Sequence, residues 1–403
     1  MKKKLLAIIC ILAVSLGMLT ACGSSSPSSS DTGAAPAEST ETSSDASQPA
    51  EEGVVKIGLI TSLTGEKSLV GEYASNALEI ALEEINANGG VLGMRVEVVV
   101  EDDMGTDAGA VNAFNKLSQD DSIVGIVGPY YSTMDLAIAG EVAKAQIPTM
   151  VGGSSEAIGK LDNDWLFQAR SHDGIVAAAI ANYGVDGIGA TKVAIIYDSD
   201  ASGAGQMEAA VNALAAKGIE PVTNDAYNTG DKDFTAQIVR IQQADAEVIL
   251  AYGLQVEAGL IMKQVRDMGL DIPIVGSTSY ASQIALDLAK ESAEGVYSCA
   301  DYVPTSPRPA AQAFAPKYKE RFGIESDFTA SMIYDMLSLQ VEAIRIAGST
   351  DRTAVRDAIY QIQGFEGTST IFSFDENGVG GTGVLLTQVQ NGAPVVLDMI
   401  SAR

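Results

Sequence analysis

Residues able to bind or react stand out first where one apolar run ends. The stretch "IVGPYYSTMD", Ile126 to Asp135, passes from strand-like residues through Gly128 and Pro129 to Tyr131, Ser132 and Thr133 before a helical pattern begins. Hydroxyls at a helix start, beside backbone N–H groups that lack helical acceptors, form a neutral site for an anion. Ser132 with Asp135 three positions on also fits a capping box, so plain capping and anion binding both stay open. Catalytic constellations are weaker. His172 is the sole histidine, and its neighbour Asp173 is adjacent in sequence, a spacing that rarely orients a catalytic dyad. "GVGGTG", Gly378 to Gly383, spells GxGxxG but lies between two strand-like runs, so it reads as a turn. "DSDASG" begins like a calcium loop at Asp198, yet Ala209 stands where the bidentate glutamate belongs. Glu101, Asp102, Asp103 and Asp107 read as acids near a helix N-terminus. No P-loop is present, and no metal, cofactor or enzymatic reaction is expected.

The elements that would position these residues alternate in type. "VVKIGLI" leads to a helix near Gly71 to Ala87, with Tyr73, Ala77, Ile80, Ala81 and Ile85 on one face and "NGG" as its stop. "RVEVVVE" precedes Asp107 to Ser118, and "IVGIVG" precedes Met134 to Ala145. The alternation returns at "KVAIIYD" before Gly203 to Lys217, at "AEVILAY" before Val256 to Met268, and at "IPIVGS" before Ser282 to Ala289. Repeated βαβ units imply parallel sheets covered by helices on both faces. The expected fold class is α/β, with two doubly wound parallel-sheet lobes whose facing carboxyl-end loops enclose a ligand cleft. Helices from Ala310 to Tyr360 and strands near Ile371 to Gln390 complete the lobes.

Composition narrows the setting. Among 403 residues, 46% are hydrophobic, enough for a large core, and acids outnumber bases 52 to 25 for a net charge of −27. Such a surface repels phosphate backbones, so nucleic acid is not an expected partner. Lys2, Lys3 and Lys4 precede an apolar run from Leu5 to Leu19, too short to span a bilayer, followed by "LTAC". This reads as a signal peptide over residues 1–21, and "LTAC" resembles the lipobox of bacterial lipoproteins, which implies lipid on Cys22. After Cys22, residues 23–53 are mostly serine, threonine, alanine, proline, glycine and acid, so residues 22–53 read as a flexible tether spanning about 30 Å as a random coil. The folded part is therefore expected outside the cytoplasm, anchored to the outer face of the cell membrane. Cys299 is left without a disulfide partner and reads as a small core residue.

"IGLITSLTG", "ALEEINANGGVLG", "VEDD", "IVGP", "GDKDFTAQI", "EAGLIMKQVRDMGL" and "FSFDENG" occur in an order and spacing that resembles the branched-chain amino-acid (leucine/isoleucine/valine-type) periplasmic solute-binding proteins of ABC importers. The resemblance runs from Val54 nearly to the C-terminus. It implies a type I binding-protein fold with a multi-strand hinge: residues 54–172 plus 302–365 as one lobe, 173–301 plus 366–403 as the other. It also implies a small carboxylate-bearing ligand, an amino acid of the branched-chain type, an ABC permease as partner, and a monomer. A sensory lipoprotein or a binder of a non-amino carboxylate would share the same cleft. By resemblance the carboxylate falls to Ser132, with Thr133 beside it, and to Gly153, Ser154 and Ser155. The family's first-loop aromatic falls at Val70, a loop tyrosine at Ser202, a second tyrosine at Leu254, and the ammonium-binding acid at Thr278. Asp173 is the best substitute for that acid, and it fits equally a hinge aspartate that caps the helix starting at Gly174. Tyr131, Tyr252 and Tyr280 are candidates for aromatic walls.

Overall fold

The computed structural model describes residues 53–401; the expected signal peptide, Cys22 and all of the expected tether except Gly53 lie outside the described residues. In the first lobe, strands β1 (Val54–Thr61), β2 (Arg95–Asp102), β3 (Ile123–Val127), β4 (Thr149–Val151) and β5 (Leu166–Gln168) alternate with helices α1 (Ser68–Ala87), α2 (Asp107–Ser118), α3 (Ser132–Ala145) and the single turn α4 (Glu156–Gly159). The strands pair in parallel in the order β2-β1-β3-β4-β5. The chain then enters α5 (Asp173–Asn182), and the second lobe follows as β6 (Val193–Asp198), α6 (Ala201–Ala215), β7 (Thr223–Tyr227), α7 (Thr235–Gln243), β8 (Val248–Tyr252), α8 (Gln255–Asp267), β9 (Ile274–Gly276), α9 (Gln283–Ala289) and β10 (Tyr297–Ala300). Helices α10 (Pro309–Phe322), α11 (Phe328–Ala347) and α12 (Arg352–Ile359) return to the first lobe, and a short ribbon, β11 (Phe365–Glu366) with β12 (Ile371–Phe372), follows. Strands β13 (Gly383–Gln390) and β14 (Ala393–Ser401) close the second sheet, giving the order β14-β13-β10-β9-β8-β6-β7, in which the β10–β13 and β13–β14 pairings are antiparallel and the others parallel. Among the described residues, no helix is long and apolar enough to cross a membrane.

Both faces of each sheet are covered, which is why the strands read as continuous apolar runs. Along β8, Ile249 and Ala251 face one cluster while Val248, Leu250 and Tyr252 face the other. Helix α1 begins earlier than the sequence pattern indicates, at Ser68, and lays Tyr73, Ala77, Ile80 and Ala81 onto the first-lobe core. Phe372 and Phe374 also pack in that core, although the expected boundary after residue 365 places them in the second lobe; the chain joins the second sheet only from Gly383. Cys299 is fully buried in β10, and burial pushes its thiol up to about 12.

Three segments cross between the lobes: Ala169–His172 after β5, the stretch from Asp301 to α10, and the stretch from Val379 into β13. The first and third are stapled by Ser171, whose hydroxyl donates to Gly383 O at 2.9 Å and accepts from Gly383 N at 3.1 Å. They can lie this close because residue 381 is glycine: a Cβ there would stand 2.1 Å from Arg170 C and Ser171 N. Arg170 pairs with Asp301 and so ties the first crossing to the second. Beneath the third crossing, the carboxylate of Asp335 on α11 accepts from Thr368 N (2.7 Å), Thr368 Oγ1 (2.9 Å), Ser369 N (2.9 Å) and Ser369 Oγ (2.5 Å). Replacing a buried acceptor strands its donors. Asp335→Ala is therefore expected to lower stability by about 3 kcal/mol in urea unfolding, and a loss of under about 1 kcal/mol would show that the loop holds itself.

Candidate functional site

The loops at the carboxyl ends of the two parallel sheets meet around a cavity of about 40 Å³, counted as space open to the centre of a water molecule. About 10–15 Å³ on that measure holds one water, so the enclosed space suits a small molecule. The first lobe contributes Tyr130, Tyr131 and Ser132 after β3 and Gly153 and Ser154 after β4. The second contributes Asp200 and Ser202 after β6, Gly253 to Gln255 after β8, and Ser277 to Ser279 after β9. Arg170, Val176, Gln206 and Phe328 complete the wall.

The first-lobe end is built around Ser132. Tyr131, with extended backbone, takes the N-cap position of α3, and Ser132 is the first helical residue. A capping box on Ser132 is therefore not formed. The Ser132 hydroxyl instead accepts from Ser154 N and Ser155 N, both at 3.1 Å, while Asp135 reaches across to accept from Gly153 N at 2.8 Å. The amides of residues 153–155, a loop that the resemblance assigns to the carboxylate, are thus already committed. Gly153 permits this approach, since a Cβ there would lie 2.2 Å from Asp135 Oδ2 and 2.7 Å from Ser132 Cα. Donors nevertheless remain at this end: the Ser132 hydroxyl proton, and the amides of Ser132 and Thr133, which precede the first intrahelical bonds at Met134 and Asp135. Lys67 adds positive charge, its Nζ lying 3.7 Å from the centre of the Tyr131 ring.

Of the residues expected at the site, Tyr131, Ser132, Gly153, Ser154, Ser202, Leu254 and Thr278 line the cavity, whereas Thr133, Ser155 and Asp173 do not. Thr133 is half-buried in the first turn of α3. The Ser155 hydroxyl caps α4 by accepting from Ala157 N at 3.3 Å. Val70 is not in a loop; it is buried in the first turn of α1, and Lys67 occupies the end of the loop before it. Tyr252 and Tyr280 are fully buried in the second-lobe core and do not reach the cavity. Asp198, the first acid of "DSDASG", accepts from Thr229 Oγ1 (2.8 Å) and Asp200 N (3.0 Å), and burial pushes its carboxyl up to about 6. Among the described residues no cluster of acids, histidines or cysteines is arranged to hold a metal.

The sequence pattern did not single out Arg170, Asp200 or Gln206. Among the described residues, Asp200 is the only acid in the cavity wall; its Oδ1 caps α6 by accepting from Gly203 N at 2.7 Å, and burial raises its carboxyl above the usual range. Arg170 donates through Nη1 to Gly152 O at 3.2 Å and pairs through Nη2 with Asp301, which in turn accepts from Thr278 Oγ1 at 3.0 Å. The acid nearest Thr278 is thus already neutralised by a guanidinium. The only sequence signals were the "QARSH" crossing, for Arg170, and the second acid of "DSDASG", for Asp200.

From the wall residues Ser154 and Ser202, a hydrogen-bonded chain that joins the lobes runs back to the buried Asp173. Ser154 Oγ and Ser202 Oγ lie 3.0 Å apart, and Asp173 Oδ1 accepts from Ser202 Oγ at 3.2 Å and from Gln206 Nε2 at 2.6 Å. Asp173 is fully buried, and that burial pushes its carboxyl from 3.8 up to about 7 despite these donors. Between those values the folded chain keeps a proton that the unfolded chain has lost, so this group's contribution to stability falls as pH rises from 4 to 7 and levels off above. Asp173→Asn removes the titration. In urea unfolding, the stability of the variant relative to the parent is expected to rise by up to about 1.4 kcal/mol per pH unit across that window, and a difference that stays flat with pH would refute the buried-acid assignment.

Comparison with known proteins places this geometry. Residues 54–394 match the family described as periplasmic binding protein. The Leu/Ile/Val-binding protein BraC3 of Rhizobium johnstonii is 30% identical over 311 residues, covering 76% of this chain and 83% of the relative. The leucine-binding protein LivK of Thermotoga maritima superposes with a TM-score of 0.79 at 27% identity, covering 86% of this chain and 99% of that one. LivJ of Streptococcus pneumoniae, a branched-chain amino-acid transporter substrate-binding protein solved in complex with isoleucine, gives 0.77 at 26% identity, with 86% and 99% covered. These relatives are solute-binding proteins rather than enzymes, and the chain, with its two doubly wound lobes closing on one cavity, belongs to the periplasmic binding protein family.

Proposed function

We propose that this protein captures a small amino acid outside the cytoplasm and delivers it to an ATP-driven importer, held at the membrane by lipid on Cys22. The observation that carries the reading is the opposition of two ends of one cavity. On one side stand the Ser132 hydroxyl and the first amides of α3; on the other stands Asp200, the single acid in the wall. A zwitterion fits that polarity, its carboxylate at α3 and its ammonium at Asp200. Asp200 takes the role that Asp173 was expected to fill, because Asp173 lies behind the wall and Asp301 is committed to Arg170. Relatives named for leucine, isoleucine and valine support the amino-acid class.

Capture then proceeds by closure. The ligand's carboxylate binds the first lobe, and contacts to Asp200 and its neighbours are available only once the second lobe swings in. That difference in affinity between open and closed forms drives the motion.

In calorimetry on the purified protein, Ser132→Ala is expected to weaken binding of the amino acid at least tenfold, because it removes a donor and strands the amides of Ser154 and Ser155. Asp200→Asn, which keeps the α6 cap, should weaken it comparably, and Ser155→Ala should change it by less than about threefold, its hydroxyl being spent on α4. Unchanged affinity in the first two variants would refute this site. For the anchor, Cys22→Ser should move the protein from the membrane fraction to the soluble fraction. Retention at the membrane would place the anchor elsewhere.

A further inference from the structure

The chamber is small for a branched side chain. Its space open to the centre of a water molecule is about 40 Å³, room for about three or four waters, whereas an apolar cavity of about 150 Å³ is what takes up benzene. The carboxylate, α-carbon and ammonium that every amino acid carries fill most of it. With Ser132 and Asp200 holding the two charged ends, a side chain must lie against the remaining wall, where Tyr130, Tyr131, Leu254 and Phe328 supply the bulk. The three rings support one another. Tyr130 meets Tyr131 edge-on with centroids 4.8 Å apart and Phe328 at 5.9 Å, so none swings aside without moving its neighbour. Leu254 reaches across from the second lobe: it is half-buried, and it packs against the first-lobe core cluster to which the rings belong. Its place is fixed from both sides. A Cβ on Gly253 would stand 1.8 Å from Tyr227 Oη, and Leu254 itself takes the N-cap position of α8.

Resting on the amino-acid reading above, we propose that Leu254 is a specificity-determining residue that, together with the aromatic cluster of the first lobe, limits the ligand to an amino acid with one of the smallest side chains: glycine, alanine or serine. A branched or longer side chain has to displace Leu254 or hold the second lobe outward, and overfilling a packed space costs binding steeply. A methyl or hydroxymethyl group fits without either movement.

The test is calorimetry on the purified protein across the proteinogenic amino acids. Glycine, L-alanine or L-serine is expected to bind at least about tenfold more tightly than L-valine, L-leucine, L-isoleucine or any other larger one. A larger amino acid that binds as tightly as the best of those three would overturn the size limit while leaving the amino-acid reading in place; binding of none would overturn both. Leu254→Ala leaves space where the isobutyl group stood, and should lower the ratio of L-alanine affinity to L-valine affinity about tenfold. Leu254→Val, a milder truncation, should lower the same ratio about threefold, and it decides if the alanine variant does not fold. A ratio unchanged in a folded variant would overturn the assignment of Leu254.

Discussion

A parallel sheet sends all its carboxyl-terminal loops to one edge, and this constraint determines what the molecule can do. In each lobe the strand order reverses next to the first strand of the lobe: β1 lies between β2 and β3, and β6 lies between β7 and β8. At those reversals the loops diverge to opposite faces and leave a crevice. Two crevices facing each other, joined by three crossings, form a chamber between the lobes without requiring a long insertion. Ser132 sits at the carboxyl edge of β3 and Asp200 at that of β6, so the opposed polar ends follow from topology before any detail of side-chain packing.

Much of this was legible in the sequence because burial on both faces leaves long apolar runs. The strands "VVKIGLI", "RVEVVVE", "KVAIIYD" and "AEVILAY" correspond to β1, β2, β6 and β8, and α2 keeps the limits its pattern indicated. Strands β4 and β5 have three residues each, too few to display a period, and β7, "TNDAY", carries polar residues on a sheet edge. They appear only once neighbours supply their hydrogen bonds. The same limit applies to the site. A hydroxyl at a helix start is visible in sequence, but that Ser132 would accept the amides of Ser154 and Ser155 depends on how closely two loops approach.

Charge was the least legible property. An overall excess of acid says nothing about where a single cation is buried. Arg170 and Asp301 are 131 positions apart and meet only because two crossings run side by side. Burying an ion pair is costly unless its remaining hydrogen bonds are met, and here Gly152 O and Thr278 Oγ1 meet two of them. The pair therefore acts as a structural clasp at the hinge while also presenting a polar surface to the chamber. Sequence matching draws attention to the position where a familiar acid is missing, Thr278, and passes over the acid one strand away that stands against it.

The Ser154 to Ser202 contact has a different kind of consequence. Both atoms belong to the protein, one on each jaw, so whatever part of this bond no guest atom disturbs is the same whichever molecule lies inside. A contribution common to all guests tightens the grip on each alike and cancels from any comparison between them. Preference must therefore be written in the atoms that touch the guest, and evolution could retune this hydroxyl pair to change how firmly the jaws hold without altering what they choose.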